Sequence, residues 1–414
     1  MGTILQLCLG TVYSWSYFQK PLVECFKGMG YTNTHIAWAF SLAICFLGLA
    51  ASAGGILLPR TGPRKLAIIG GILFGLGYII ASFAVRFKLL WLLYSGYGVI
   101  GGIGLGLGYV TPVATVAKWF PDRKGLVTGM VVMGFGFGAL LMSKFIAPIL
   151  MRQAEGDLTL VFLWLGFFFL PATIFVAYFL QNPPSGYIPS GWMPPVISSV
   201  NAQQDDNSSA LSGIFSLKFA MMWIVFFCNI TAGIAIISFQ SPLFQDLLNT
   251  LDGSIPREKL AVYGATLIAV SSLFNGIGRI FWGGVSDRIG RVQVFMLVLA
   301  TQVAAFLTLP EISNPWIFGA IICYVLLCYG GGFGTMPSFV LDEFGSKSMA
   351  VTYGTILTAW SAAGIVGPQL VAYCADNYGK AASLYTFRAS AVLLFAGLSL
   401  SIILYYFGKR KHLD

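Results

Sequence analysis

Residues 261–291 read AVYGATLIAVSSLFNGIGRIFWGGVSDRIGR, an apolar stretch with one arginine, Arg279, in its interior. Arg279 lies eight residues before Asp287, where charged residues resume. In an α-helix this spacing puts Arg279 about 12 Å from the membrane edge, near the middle of a hydrocarbon core about 30 Å thick. A cation at that depth costs on the order of several kcal/mol unless it meets an anion, water or a bundle interior. Its partner is either a structural carboxylate or an anionic substrate. No other predicted span has a central Asp or Glu, which favours the substrate.

The composition excludes an ordinary soluble protein. Hydrophobic residues make up 57% of the 414 residues, charged residues only 9%, and the mean hydropathy is +0.81; charged residues are near a quarter of a soluble domain. The basic pI comes from short connecting loops, so we expect membrane lipids and no nucleic acid as partners. We predict an all-α polytopic membrane protein with twelve transmembrane helices, at about residues 1–18, 36–58, 66–86, 89–113, 125–150, 159–180, 216–240, 261–285, 292–309, 316–340, 351–374 and 385–408.

The orientation follows from the basic residues of the loops. If both termini are cytoplasmic, the three short loops 59–65, 118–124 and 286–291 face the cytoplasm and carry an excess of Lys and Arg, as cytoplasmic loops do. We therefore predict a multi-pass protein of the cell membrane (inner or plasma) with both termini inside. The first span begins at Met1 without a basic flank. We interpret it as a membrane span with a late-assigned or trimmed start, and not as a signal peptide.

The chain divides into two similar halves. Residues 181–215 are rich in Pro, Ser and Asn and cannot span lipid, so we predict an N-terminal six-helix bundle at 1–180, a cytoplasmic linker at 181–215 and a C-terminal six-helix bundle at 216–414. Gly55-x-x-x-Pro59-Arg60-x-Gly62 follows the second span, and Gly283-x-x-x-Asp287-Arg288-x-Gly290-Arg291 follows the eighth. Pro112 and Pro337 end glycine-rich stretches, and their separation along the chain nearly equals that of the two loops. Such near-equal offsets indicate pseudo-symmetric bundles around a central cavity.

The second of these loops resembles the signature loop of the major facilitator superfamily. The match is specific at Gly283, Asp287, Arg288, Gly290 and Arg291, whereas Pro59 replaces the acidic residue in the first half. The glycines allow a tight turn, and Asp287 can cap or pair with a neighbouring helix end. The resemblance implies the major facilitator fold, and we expect this loop to hold a gate and not to touch the substrate.

Four further stretches resemble the oxalate/formate antiporter family within that superfamily. They are LCLGTVYSWSYFQKPL (7–22), GLGYVTPVATVAKWFPDRKGLVTGMVVMGFGFGA (106–139), NPPSGYIPSGWMPP (182–195) and NGIGRIFWGGVSDRIGR (275–291). The related monocarboxylate porters share the arginine of the eighth span. The resemblance implies twelve helices, alternating access and an organic anion as substrate.

Two departures from the sequence patterns of these families narrow the range of substrates that we expect. Oxalate-transporting members have a lysine on the eleventh helix, and in TYGTILTAWSAAGIVGP (352–368) its position falls at Trp360. One cation balances one carboxylate, so we favour a monocarboxylate such as lactate, pyruvate or formate over oxalate. Animal-type monocarboxylate porters have an acid four positions before the arginine, where this chain has Asn275. Proton symport and anion exchange both stay open.

The remaining pocket residues are predicted from helical spacing and from the resemblance. Asn275 and Arg279 share a helix face, and so do the pairs Tyr329 and Phe333, and Tyr13 and Tyr17. Aromatic walls suit a small anion with an apolar tail, and tyrosine hydroxyls can donate to a carboxylate. Lys144 either extends its stem to the interface or takes part in an outer gate. The predicted substrate-binding residues are Arg279, Asn275, Tyr329, Phe333, Tyr13, Tyr17, Trp360, Tyr109, Asn229 and Ser238.

Other functions have weaker support in the sequence. An enzyme would need a nucleophile with its base or a metal cluster in the spans, and seven scattered cysteines with only two histidines offer neither. We therefore expect no enzyme activity, no metal, no cofactor and a monomer. A sensor that binds the anion without net flux is an alternative to transport, as is an oxalate/formate-type dicarboxylate exchanger.

Overall fold

Twelve helical crossings form the described part of the protein. The computed structural model describes residues 1–120, 124–184, 187 and 213–410. Within these ranges eleven helices are long and apolar enough to cross a membrane. The first crossing, α1, consists of Gly2–Leu9, a 3₁₀ segment at Gly10–Ser14 and Trp15–Phe26. The predicted all-helical architecture is confirmed.

The first six crossings precede residues 181–215 and the last six follow them. In the first group the remaining helices are α2 (Asn33–Thr61), α3 (Pro63–Phe87), α4 (Leu90–Leu93, a π segment at Tyr94–Gly101, and Gly102–Trp119), α5 (Lys124–Leu141, a π segment at Met142–Ile146, and Ala147–Gln153) and α6 (Leu158–Tyr178). The second group consists of α7 (Leu217–Leu251), α8 (Arg257–Ile289), α9 (Arg291–Thr308), α10 (Pro315–Gly345), α11 (Val351–Tyr378) and α12 (Ala382–Arg410).

Several helices are longer than the apolar segments predicted from the sequence. The span predicted at 216–240 belongs to α7, which extends to Leu251 and has 35 residues. At 1.5 Å per residue α7 is about 52 Å long, well beyond a hydrocarbon core of about 30 Å. The helices therefore project past the membrane and form polar contacts there. Most of the predicted linker at 181–215 lies outside the described residues.

The internal repeat is visible in the backbone. Gly62 joins α2 to α3 with φ +77°, and Gly290 joins α8 to α9 with φ +99°. Glycine adopts these left-handed angles without the steric cost that a side chain brings. After Gly290, Arg291 pairs with Asp287 at 2.5 Å and with Asp342 of α10 at 2.9 Å, while Arg288 is exposed. The signature loop is thus tied to the end of α10.

The two groups of six helices meet mainly along two seams, α2 with α11 and α5 with α8. Following the predicted orientation, we call the end of α8 at Arg257 the outer end and the end at Asp287 the inner end. At the outer end Lys20 of α1 pairs with Asp246 of α7 at 2.6 Å. Long polar side chains therefore link the two halves on that side.

Candidate functional site

Arg279 is buried in the centre of the bundle without a counter-charge. It is 2% exposed and is the one charged side chain among the buried residues that the structure describes. In that part of the chain, none of its three guanidinium nitrogens makes a hydrogen bond of good geometry or an ion pair. Its Cζ atom lies 5.0 Å from the ring centre of Phe333, a cation–π distance. The guanidinium is therefore free to bind an anion.

Glycines of α10 fix the position of Arg279. A side chain at Gly334 would collide with the backbone carbonyl of Arg279, and one at Gly330 would collide with the backbone of Asn275. On α8, a side chain at Gly278 would meet the backbone of Leu327. Small residues allow backbones to approach closely in a membrane. This contact between α8 and α10 points the arginine toward Phe333 in the bundle interior.

An aromatic cluster from both halves surrounds the guanidinium. The Tyr13 and Tyr329 hydroxyls are hydrogen-bonded at 2.6 Å, which joins α1 to α10. The Trp360 ring lies 4.7 Å from Phe333, 5.3 Å from Tyr109 and 5.9 Å from Phe135, centre to centre. We call Tyr13, Tyr109, Phe135, Tyr329, Phe333 and Trp360 the aromatic cluster; each is at most 2% exposed.

Several polar groups beside the cluster lack partners. Among the described residues, the Tyr109 hydroxyl, the Trp360 indole nitrogen and the Asn275 and Asn229 side-chain amides make no hydrogen bond of good geometry. Arg279 also interacts electrostatically with Tyr13, Tyr109, Tyr329 and Tyr353. A buried donor without an acceptor is destabilising. The indole and guanidinium only donate, and a hydroxyl can donate, so a small acceptor with negative charge would satisfy them together.

A cavity of about 440 Å³ opens between the halves at the outer end. We call it the outer vestibule. Its walls include Tyr17, Lys20, Glu24, Asp246 and Arg257. Because Tyr13 lies one turn inward from Tyr17 on α1, the bond between Tyr13 and Tyr329 lies at the side of the cluster that faces the vestibule. The site is closed toward the outer vestibule in this conformation.

The structure brings most of the predicted site residues together but separates two of them. Arg279, Tyr13, Tyr109, Tyr329, Phe333 and Trp360 meet in the centre, and Asn275 and Asn229 lie against Gly330 and Gly332 of α10. Tyr17 lines the vestibule instead. The Ser238 hydroxyl donates to the carbonyl of Ala235 in its own helix.

Two residues of the site were missed by the sequence reasoning. Phe135 of α5 contacts Tyr13, Tyr109 and Trp360. Its separation from Trp360 along the chain equals that of Pro112 from Pro337, so the internal repeat could have found it. Tyr353 of α11 interacts electrostatically with Tyr109 and Arg279 and lies in the stretch that contains Trp360.

Comparisons with known proteins agree with this architecture. The model of the Major Facilitator Superfamily matches residues 3–368, so the chain belongs to this superfamily of transporters. It is 27% identical to the uncharacterised transporter YhjX of Escherichia coli (86% of this chain, 82% of the relative) and 26% identical to the oxalate:formate antiporter of Oxalobacter formigenes (91% and 84%). It is also 24% identical to apicoplast pyruvate carrier 1 of Toxoplasma gondii (91% and 83%).

The fold also matches solved transporter structures. A bacterial homologue of the human lysosomal transporter Spinster, in an inward-facing and occupied conformation, aligns with a TM-score of 0.66. The alignment covers 98% of this chain and 96% of the homologue at 14% identity. Family and fold together define a multi-pass membrane transporter rather than an enzyme.

We predict that Gly334→Val will disrupt the contact between α8 and α10, because its side chain would meet the carbonyl of Arg279. Overpacking of this kind costs about 1–3 kcal/mol, so the midpoint of thermal unfolding in detergent should fall by several degrees. Gly284→Val is the matched control, since a side chain at Gly284 on α8 meets open space. Equal midpoints for the two variants would show that this contact does not hold the helices.

Proposed function

We propose that the protein is a secondary active transporter of small organic anions, and that a monocarboxylate resembling lactate, pyruvate or formate binds Arg279. The observation that carries this proposal is the buried guanidinium, which pairs with no carboxylate among the described residues. A planar guanidinium can bind a carboxylate through two parallel hydrogen bonds, which are stronger than bonds between neutral groups. An anion at this point would pair the one buried charge of the described chain.

The surroundings of Arg279 suit a small anion. Tyr109 and Trp360 could donate to the carboxylate, while the rings of Phe333 and Phe135 offer apolar contact to a short carbon chain. The ring centres of Phe333, Tyr109 and Phe135 lie 4.7–5.9 Å from that of Trp360, which leaves little room for a long substrate. In a buried site of this kind polar groups fix orientation and apolar walls exclude water.

The charge of the site favours a monocarboxylate. Trp360 lies in the cluster where oxalate-transporting relatives are expected to carry a lysine, so one cation faces the substrate. A second carboxylate would enter a low-dielectric site without compensation. The similarity to an oxalate:formate antiporter keeps oxalate/formate-type exchange as the second candidate, and the similarity to a pyruvate carrier supports the first.

The way in which substrate movement is coupled to a second anion or to a proton follows from the same unpaired charge. A buried arginine without a counter-ion makes the empty carrier unfavourable, so an anion should be needed for reorientation, which favours exchange. A proton could instead enter with the carboxylate, as the likeness to monocarboxylate porters suggests. We further propose cytoplasmic termini and a monomer in the cell membrane, as predicted from the loops.

Replacing the arginine tests the site directly. Arg279→Gln should abolish uptake of ¹⁴C-labelled pyruvate, lactate, formate and oxalate by proteoliposomes, because it removes the one buried cation of the described residues. Arg279→Lys keeps the charge but lacks the planar fork, and should reduce uptake at least tenfold. Lys259→Gln serves as the control, since Lys259 lies on the same helix as Arg279 and is exposed. Normal uptake by well-inserted Arg279→Gln would remove Arg279 from the site.

The next prediction concerns the charge of the substrate. In the unmodified protein, pyruvate or lactate should compete for uptake at least tenfold better than oxalate or malonate. Trp360→Lys should shift the preference toward the dicarboxylates, because it adds a second cation to the cluster, and Trp360→Phe is the uncharged control. Uptake inhibited best by oxalate in the unmodified protein would instead establish the dicarboxylate exchanger.

A third measurement separates symport from exchange. Liposomes without any internal anion should accumulate the labelled acid under an inward pH gradient if a proton travels with it. If transport is obligatory exchange, uptake should appear only after the liposomes are preloaded with carboxylate. The same protein preparation serves both arms, and Arg279→Gln liposomes give the background.

A further inference from the structure

Basic residues are concentrated at the inner end of the first six helices. The turn between α2 and α3 (59–65) and the end of α4 with the residues after it (117–124) contain six Lys or Arg and one acid, Asp122. The equivalent segments of the internal repeat, 287–293 and 342–349, contain three basic and three acidic residues. The charge of the inner end is therefore balanced in the second half of the chain and strongly positive in the first.

In the second half, acids at this end hold the cations in place. Arg291 pairs with Asp287 at 2.5 Å and with Asp342 at 2.9 Å. Lys218 of α7 pairs with Glu343 of α10. The inner end of the second half therefore supplies counter-charges for its own basic side chains.

The first half lacks the equivalent acids. Pro59 stands at the position of Asp287 in the repeat. Lys118, a cation, stands at the position of Glu343. The acidic side chains that the structure describes in the first six helices and their connections all lie at the outer end; they are Glu24, Glu155 and Asp157. The basic side chains of the inner end thus form no ion pair within the described ranges.

The described cations of this end surround the end of α6. The Cζ atom of Arg64 lies 4.7 Å from the ring centre of Tyr178, and in the described chain its buried Nε atom has no hydrogen-bond partner. The Lys118 ammonium donates to the side-chain oxygen of Asn182 at 3.3 Å, a neutral acceptor. We call the following four side chains the inner basic surface: Arg60, Arg64, Lys65 and Lys118.

The inner basic surface lies at the level of the lipid headgroups. Helix α3 has 25 residues, so it is about 37 Å long, which exceeds a hydrocarbon core of about 30 Å but not a whole bilayer of about 40–45 Å. Tyrosine, as at position 178, is typical of this level. Exposed apolar or aromatic side chains continue from the surface along α2, α3 and α6; they are Ile56, Ile69, Phe175 and Tyr178.

We propose that the inner basic surface binds the headgroup of an anionic phospholipid, whose phosphate supplies the negative charge that Asp287 and Glu343 supply in the second half. A guanidinium can hold a phosphate through two parallel hydrogen bonds, and clustered Lys and Arg at a membrane surface attract anionic lipids. The acyl chains lie against the exposed apolar side chains of α2, α3 and α6. A soluble anion would leave those side chains without a contact, so a lipid fits this surface better.

Lipid binding to the full chain, purified in detergent, is measured by native mass spectrometry. Phosphatidylglycerol should bind at least tenfold more tightly than zwitterionic phosphatidylcholine. Arg60→Gln with Arg64→Gln should weaken binding of phosphatidylglycerol at least fivefold and leave that of phosphatidylcholine unchanged. Lys259→Gln with Arg288→Gln is the matched control, because it removes the same charge at exposed positions outside the surface. Equal affinity of the two double variants for phosphatidylglycerol would overturn the proposal.

Adding an acid tests the same surface without removing a cation. Pro59→Asp should weaken binding of phosphatidylglycerol at least threefold, because its carboxylate competes with the phosphate for the cations. Pro59→Asn is the control of nearly the same shape without the charge. Equal affinity of these two variants would contradict the proposal. This pair also decides the matter if the variant that lacks Arg64 does not insert.

Two further measurements complete the test. Inorganic phosphate in excess should not displace phosphatidylglycerol, and displacement would assign the surface to a soluble anion instead. A ligand of the folded state raises the midpoint of thermal unfolding. Phosphatidylglycerol should therefore raise the midpoint of the unmodified protein and of the control, but not that of Arg60→Gln with Arg64→Gln; an equal rise in all three would overturn the assignment. None of these measurements involves transport, so their failure would leave the proposed substrate unaffected.

Discussion

The unpaired positive charge of Arg279 is the constraint on which the rest of the structure depends. A buried ion without a partner costs on the order of several kcal/mol, and the ring of Phe333 returns only about 0.5–2 kcal/mol of this. Glycines of α10 fix the backbone of Arg279, since α8 is packed against them by its backbone. The closed empty site is therefore a high-energy arrangement, which the proposed anion would stabilise.

Much of this site could be predicted from the sequence, because a charged residue is rare inside an apolar membrane span and is easily recognised there. Arg279 stands out in an apolar span, and Tyr329, Phe333 and Trp360 follow from helical spacing and resemblance. Tyr17 was paired with Tyr13 on the assumption of a regular helix. Tyr17 lies one helical turn farther toward the outer end of α1, so it lines the vestibule and does not reach the cluster.

Other features depend on tertiary contacts that a single apolar pattern does not encode. Hydropathy does not predict the π segments in α4 and α5. It does not predict the extension of α7 to Leu251 either, because helix ends beyond the hydrocarbon are set by neighbouring helices. Phe135 is one of 34 phenylalanines, and periodicity alone does not distinguish it from residues that face lipid. The offset of the internal repeat does distinguish Phe135 from them, since it relates Phe135 to Trp360, and the two rings meet between the halves.

The relation of Phe135 to Trp360 also connects the site to both halves of the protein. Each precedes a residue that contacts the opposite half, Gly136 and Ser361, so the aromatic walls lie beside close contacts between the halves. Arg279 lies one turn from Gly276 on α8, which meets Gly136 of α5, and shares this position. The proposed anion would therefore contact both halves at once, and its pairing with Arg279 would stabilise their contact.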